Sequence, residues 1–372
     1  MNAERREAMD EFLKSAGWAG AELSPLPGDA STRHYLRAAH GGRQAMLMDQ
    51  PQNAESPQCP PAATPQERRA LGYNAIARLA GADCGRFVAA ADYLRRRGLS
   101  APMVYAADVN RGFVLLEDLG DDLYANVLDG GAEDEHALYS GAIDALARLH
   151  SECAPDTLNG NKPLYAYDET ALLAETDLMT EWFMPLALGR AATEDERTEH
   201  REIWSGVLGQ LPTPSPVFVH RDYHAQNLFW LGNRDGAARV GMIDFQDAVA
   251  GARSYDLISL LEDARRDVSP ALASAMTSRY LDEARKLGVD IDEEVLRAEM
   301  AVMAAQRNAK IVGIFARLNS RDGKPRYLGY LPRVWAYLEN DLQHPALAPL
   351  KTWYDRNIPA AARTNFVVGE LV

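Results

Sequence analysis

A chain of 372 residues, 47% apolar and 25% charged, holds enough material for a sizeable buried core and for two lobes or domains. Its formal net charge of −14 excludes nucleic acid as an expected partner, because phosphate contacts need a basic surface. Three cysteines without metal-ligand spacing, a charged N-terminus and no apolar stretch of membrane-spanning length predict a cytoplasmic protein with no membrane partner.

In chain order, residues 4–17 predict a helix with Met9, Phe12, Leu13 and Ala16 on one face. Strands are expected at 21–26, 33–38 and 44–49, the last two joined by the turn His40-Gly41-Gly42-Arg43. Residues 50–65, with Pro51, Pro57, Pro60, Pro61 and Pro65, predict an exposed insertion loop. Helices near 66–80 and 86–97 follow, the second closed by Gly98. A hairpin at 103–107 and 112–117 comes next. From about residue 121 the pattern is helical, at 134–150, 168–188, 193–209, 254–266, 270–287, 292–318 and 331–341. A hairpin within 217–243 is the one expected β interruption. The class is therefore α+β. Residues 1–120 form a small antiparallel β lobe with a helix, and residues 121–372 a larger, mainly helical lobe, with a hinge near 117–120.

Chemistry concentrates in His220-Arg221-Asp222-Tyr223-His224-Ala225-Gln226-Asn227 and in Ile243-Asp244-Phe245-Gln246-Asp247. An HRD-x4-N run with a downstream strand-borne Asp is what phosphoryl transfer of the protein-kinase type requires. Asp222 is the candidate base for a substrate hydroxyl. Asn227 and Asp244 are neutral and anionic oxygen ligands suited to Mg2+. The apolar run 216–219 predicts a strand ending at His220. Asn227–Trp230, a Gly-Asn-Arg-Asp-Gly turn and residues 239–243 predict a hairpin that returns Asp244 to the end carrying Asn227. Arg221 and His224 are read as residues that hold the loop in shape.

The nucleotide would lie on the N-terminal lobe. Gly28, Asp29, Ser31, Thr32 and Arg33 join the first two strands and are candidates for holding ATP phosphates through backbone N–H groups and hydroxyls. The carbonyl of Glu117 and the N–H of Leu119 are candidates for the adenine edge. A third-strand Lys, usual in protein kinases, is absent, and Met48 stands at its place. Arg33 is the leading substitute, because a guanidinium takes phosphate oxygens bidentately, and Arg43 is the next.

With these parts in place the sequence resembles the aminoglycoside phosphotransferase and choline-kinase-like superfamily. Within it, the chain is most similar to the anomeric N-acetylmuramate/N-acetylglucosamine kinases of cell-wall recycling. The resemblance rests on Gly28-Asp29-Ala30-Ser31-x-Arg33, on Leu115-Leu116-Glu117-Asp118-Leu119-Gly120 and on the two catalytic motifs. It continues through Gln306–Leu318, Arg321-Asp322-Gly323-Lys324, Tyr327-Leu328 and Leu331-Pro332-Arg333. It implies a protein-kinase-like bilobal fold and an ATP- and Mg2+-dependent kinase giving an α-1-phosphate.

Charge narrows the acceptor. Between 301 and 335 the chain carries Arg307, Lys310, Arg317, Arg321, Lys324, Arg326 and Arg333 against Asp322 alone. A polycationic aminoglycoside is repelled by such a segment and a carboxylate-bearing amino sugar attracted. Arg307, Lys310 and Arg317 are candidate substrate contacts, and Trp182 a candidate stacking platform. The competing readings are a kinase for another small alcohol, of the aminoglycoside or choline type, and a kinase-fold binding protein without turnover.

Overall fold

A computed structural model describes residues 2–26, 33–51, 57–81, 83–131, 133–211 and 215–364. The candidate phosphate loop residues Gly28, Asp29, Ser31 and Thr32, and the middle of the 50–65 segment, lie outside them. The chain divides into two compact units. One comprises 1–149, 155–165 and 225–249, and the other 150–154, 166–224 and 250–372.

The first unit is built on a five-stranded antiparallel sheet, β1 (Glu22–Pro25), β2 (His34–His40), β3 (Arg43–Asp49), β4 (Val104–Asp108) and β5 (Phe113–Leu116), in the order β1-β2-β3-β5-β4. The β2–β3 turn works because Gly41 and Gly42 take left-handed φ values of 56° and 77°, as a tight hairpin demands. Helix Ala3–Ser15, capped by Asn2, buries Met9, Phe12 and Leu13 against Ala38, Ala45, Leu47, Phe113 and Leu115 of the sheet. The expected five strands and first helix are present.

The segment between β3 and β4 departs from expectation. Helix Pro65–Leu71, started by a Thr64–Glu67 capping box, stops at Gly72 (φ 98°), and a π-helical turn Asn74–Arg78 follows. Gly72 thus breaks what the periodicity reads as one helix over 66–80. Helix Cys84–Arg96 comes next.

The compact units are not the spans on either side of residue 120. Strands Leu228–Trp230 and Val240–Met242 pair antiparallel, and they are tied to the first unit by Met242 N–H to Ser100 O (2.7 Å) and Trp230 N–H to Asp122 O (2.8 Å). Arg234 pairs with Glu117. Helix Tyr124–Gly130, which periodicity misses, packs Tyr124 edge-on to Trp230.

The second unit is helical, with the 28-residue helix Glu293–Ser320 at its centre and helices Glu169–Leu178, Ser254–Leu261 and Leu331–Asp341 packed on it. Where one helix is expected over 168–188, a π-helical turn Met179–Phe183 intervenes before Met184–Leu188. Pro185 has no N–H to donate to Glu181, and Met184 donates instead to Met179, five residues back. The helix expected over 254–266 stops at Leu261. Helices Ala348–Asn357 and Ala360–Thr364 are additional. Strand Val217–Val219 pairs with Val249–Gly251, not with the 228–242 hairpin, and a further small pair joins Thr157–Leu158 to Lys162–Pro163. The β structure beyond residue 120 is therefore not confined to one hairpin.

Candidate active site

In the second unit, the buried strand Val217–Val219 delivers the chain into the loop that carries Asp222. Two backbone N–H groups at the strand's end, those of His220 and Arg221, donate to the Asp256 carboxylate at 2.6 and 2.9 Å. Asp256 is fully buried on helix Ser254–Leu261. His150 lies 3.6 Å from it, and burial pushes that imidazole toward its neutral form, so backbone amides are the carboxylate's principal donors.

Arg221 adopts φ 76°, a left-handed conformation that costs roughly 1–2 kcal/mol in a residue with a Cβ. Its guanidinium compensates. It lies 2.5 Å from Glu175 Oε1 and 4.6 Å over the Tyr167 ring. The kinked turn leaves Asp222 half-buried while Arg221, Tyr223, His224 and Ala225 are buried, so the loop presents one carboxylate. His224 is held neutral by burial. The loop-holding role expected of Arg221 fits this geometry.

Glu175 is the hub beneath the loop. Besides Arg221 it accepts from Lys310 Nζ (2.9 Å), Gln306 Nε2 (3.1 Å) and the Tyr167 hydroxyl. Burial alone would raise its pKa, but Lys310 and Arg221 hold it below the ordinary carboxylate range.

In the first unit, the hairpin register places Met242 opposite Leu228, and Ile243 N–H donates to Asn227 O at 3.1 Å. Asp244, the next residue, is therefore beside Asn227 at the open end of the hairpin, as the sequence predicts. Asp244 also has a left-handed φ, 65°. Phe245 turns inward and stacks on Phe87 with ring centroids 4.8 Å apart. Arg86 donates to the carbonyls of Gln246 (3.3 Å) and Ala248 (3.2 Å), and Arg78 lies 2.9 Å from Asp247. Two arginines from the segment between β3 and β4 thus clamp the loop.

The Asp244 carboxylate, its side chain 35% exposed, accepts from Arg33 at 2.7 Å and from Gln246 Nε2 at 2.9 Å. Burial opposes the charge on Arg33, yet Asp244, Tyr35 and Asp247 raise its pKa above the ordinary value. Met48 is buried with its sulfur 3.5 Å from the Tyr35 hydroxyl, across the β2–β3 pair. No cation stands at that point of the third strand, and the guanidinium near Asp244 is that of Arg33. Arg43, at the other end of β3, is bound to Gly17 O and lies over Trp18.

The donor set suits magnesium. Asn227 and Asp244 offer one neutral and one anionic oxygen. Among the described residues no group of three or more His, Cys, Asp or Glu side chains is arranged to hold a metal ion. A divalent cation held by these two would take its other ligands from phosphate and water, which is the preference of Mg2+.

Other candidates fare differently. Glu117 N–H donates to Met103 O (2.7 Å) and its carboxylate is taken by Arg234 and Met103 N–H. Its carbonyl and the N–H of Leu119 are engaged by none of the described residues, while the Leu119 side chain packs on Gly241. Arg307 and Lys310 are not the solvated cations that charge patterning allows. Arg307 spends its donors on Ser259 Oγ (3.0 Å) and Glu262 O (3.3 Å), and Lys310 on Glu175 and the Tyr255 hydroxyl (3.0 Å). Arg317 is half-buried and close to Glu181 and Asp322. Trp182 is half-exposed on the π-helical turn. A cavity of about 570 Å³ lined by Gly85, Val88, Asp92, Met103, Val104 and Lys162 contains none of the predicted site residues. Sequence reading missed Glu175, Asp256, Arg78 and Arg86. Of these, Asp256 carried a signal, being the one charged residue in the helical window Ser254–Leu261.

Residues 22–297 match the phosphotransferase enzyme family. The chain belongs to that family. Among curated relatives, a Caulobacter vibrioides protein named N-acetylmuramate/N-acetylglucosamine kinase is 45% identical over 369 residues, covering 98% of this chain and 99% of the relative. A Pseudomonas aeruginosa protein of the same name is 34% identical, covering 92% and 91%. Among solved structures, a microcompartment-associated aminopropanol kinase superposes with a TM-score of 0.60 at 15% identity, covering 92% of this chain and 99% of that one. An ADP-bound aminoglycoside phosphotransferase gives 0.54 at 16%, covering 91% and 97%. At such identities the structural likeness speaks to the fold, which is the kinase-like α+β fold of the family. The chain is a phosphotransferase with kinase activity, as its family and near-full-length relatives show.

Proposed function

We propose that the protein is an ATP-dependent sugar 1-kinase that phosphorylates the anomeric hydroxyl of N-acetylmuramate or N-acetylglucosamine, giving the α-1-phosphate. The observation that carries the reading is the Asp222 carboxylate, presented by a kinked, otherwise buried loop in a chain 45% identical to a kinase of that name. Such a product fits a cytoplasmic role in recycling peptidoglycan sugars.

In the mechanism, Asp222 orients the anomeric hydroxyl and accepts its proton as the sugar oxygen attacks the ATP γ-phosphorus in line, while the bond from that phosphorus to the β,γ-bridging oxygen breaks and ADP leaves. Most of the acceleration then comes from positioning and electrostatics. Asn227 and Asp244 would hold magnesium, which when bound neutralises charge on the phosphates. Arg33 reaches the phosphates in place of the third-strand lysine. The Gly28–Thr32 segment would cover them, and the Glu117 carbonyl and Leu119 N–H take the adenine edge. Trp182 and Arg317 are the remaining candidates for the sugar, Arg307 and Lys310 being occupied within the protein.

ATP consumption measured over amino sugars, amino alcohols and aminoglycosides, with NMR of the product, tests this. Turnover is expected with the amino sugars, with phosphate on the anomeric carbon. Asp222→Asn is expected to lose about 10²- to 10⁴-fold in kcat. Turnover confined to aminoglycosides or choline, or an Asp222→Asn variant of wild-type activity, would overturn it.

A further inference from the structure

Helix Glu293–Ser320 carries Lys310 into the interior of the second unit, where its ammonium meets Glu175 at 2.9 Å and the Tyr255 hydroxyl at 3.0 Å. The same fully buried carboxylate takes Arg221 at 2.5 Å. Two cations therefore converge on one acid. Tyr167 adds no charge, since burial and Glu175 push its hydroxyl well above its usual range. Gln306 adds none either. An excess buried cation is strongly unfavourable unless another anion answers it. The second carboxylate whose field reaches Lys310 is Asp222, the residue after Arg221. Glu175 and Asp222 then balance Arg221 and Lys310.

We propose that Lys310 is a positioning residue for phosphotransfer: with Arg221 it gives the buried cluster one positive charge beyond Glu175, and that excess holds the Asp222 carboxylate in its working orientation. The inference rests on Asp222 being the base. It removes Lys310 from the acceptor contacts and gives the buried middle of a long helix a part in positioning the base. An acceptor contact needs donors aimed at ligand, and two of the three ammonium hydrogens already have protein partners.

Charge counting makes the test sharp. Lys310→Met leaves a neutral Glu175–Arg221 pair and removes one positive charge from the field at Asp222. The expected result is a kcat lower by about tenfold or more, with KM for ATP and for the sugar within about twofold of wild type. Lys310→Arg, which keeps the charge, is expected to recover most of the loss. Glu175→Gln combined with Lys310→Met frees the charge of Arg221 to serve Asp222, so the double variant is expected to be faster than Lys310→Met alone. If Lys310→Met does not fold, the Glu175→Gln variant compared with the double variant measures removal of the same ammonium. Unchanged kcat in folded Lys310→Met would make the residue merely structural, and a raised sugar KM at constant kcat would make it an acceptor contact. Either result overturns the proposal. An inactive wild-type enzyme, or a fully active Asp222→Asn, would instead overturn the assignment of the base.

Discussion

Arg33 is the proposed phosphate anchor, and its role is open to a direct test. It lies just before β2, buried, with its guanidinium on Asp244 at 2.7 Å, while the third-strand position holds the apolar Met48. Charge-assisted hydrogen bonds are worth about 1.5–3 kcal/mol, so Arg33→Ala is expected to weaken ATP or ADP binding by roughly 10- to 100-fold in calorimetric titration. Arg33→Lys keeps the charge but not the planar fork and is expected to fall between. Arg43→Ala serves as the control, since Arg43 is held by Gly17 and Trp18 and is expected to leave affinity unchanged. Equal losses at the two positions would send the search for the phosphate anchor elsewhere, with Arg78 the next residue to examine.

At the scale of elements, the sharpest constraint is the close approach of helix Glu293–Ser320 to the start of the π-helical turn. A Cβ on Gly313 would lie 2.5 Å from Leu178 Cβ and 2.6 Å from its carbonyl carbon, a backbone group that cannot move aside cheaply. Helix propensity alone favours Ala over Gly by about 1 kcal/mol. Overpacking costs about 1–3 kcal/mol and here works against backbone, so Gly313→Ala is expected to lower the thermal midpoint. A variant as stable as wild type would show that the helices can separate without penalty. This contact also marks where the sequence stops being informative. The apolar periodicity of 168–188 is compatible with one helix, because a single i to i−5 bond shifts the face without erasing it. Lys310 posed a similar problem. Its charge was legible, but its partner Glu175 lies far away in the chain, and no local pattern links them. The placing of Asp244 beside Asn227, and of Asp222 on the loop after a strand, was legible because strand, turn and hairpin signals are short-range.

For the molecule as a whole, the hairpins of the sheet and the class of fold followed from local patterns, whereas the pairing of β3 with β5 and the grouping into compact units did not. Bonds from Met242 to Ser100 and from Trp230 to Asp122 draw the late hairpin to the sheet-bearing unit, and such pairings have no sequence periodicity. A second property that only the folded molecule reveals is its response to pH. Asn308 Nδ2 bridges Glu262 (2.6 Å) and Asp341 (2.9 Å), two acids of the second unit that also hydrogen-bond to each other. Burial, and then Glu262, push Asp341 well above the ordinary carboxylate range, and burial raises Glu262 as well. The folded state therefore holds a proton that the unfolded chain releases near pH 4. The stability linked to this proton is fully present below the unfolded value and is lost as pH rises through the folded one. His150, His200 and His224, which burial drives toward the neutral form, act in the opposite sense, destabilising the fold as pH falls below about 6.5. Asp341→Asn isolates the acid pair, because it mimics the protonated carboxyl and leaves the histidines untouched. Thermal unfolding followed from pH 5 to pH 8 is expected to find the variant more stable than wild type at pH 8, with the gap closing toward pH 5. A gap that stays constant, or a variant weaker at pH 8, would mean that the two acids share no proton.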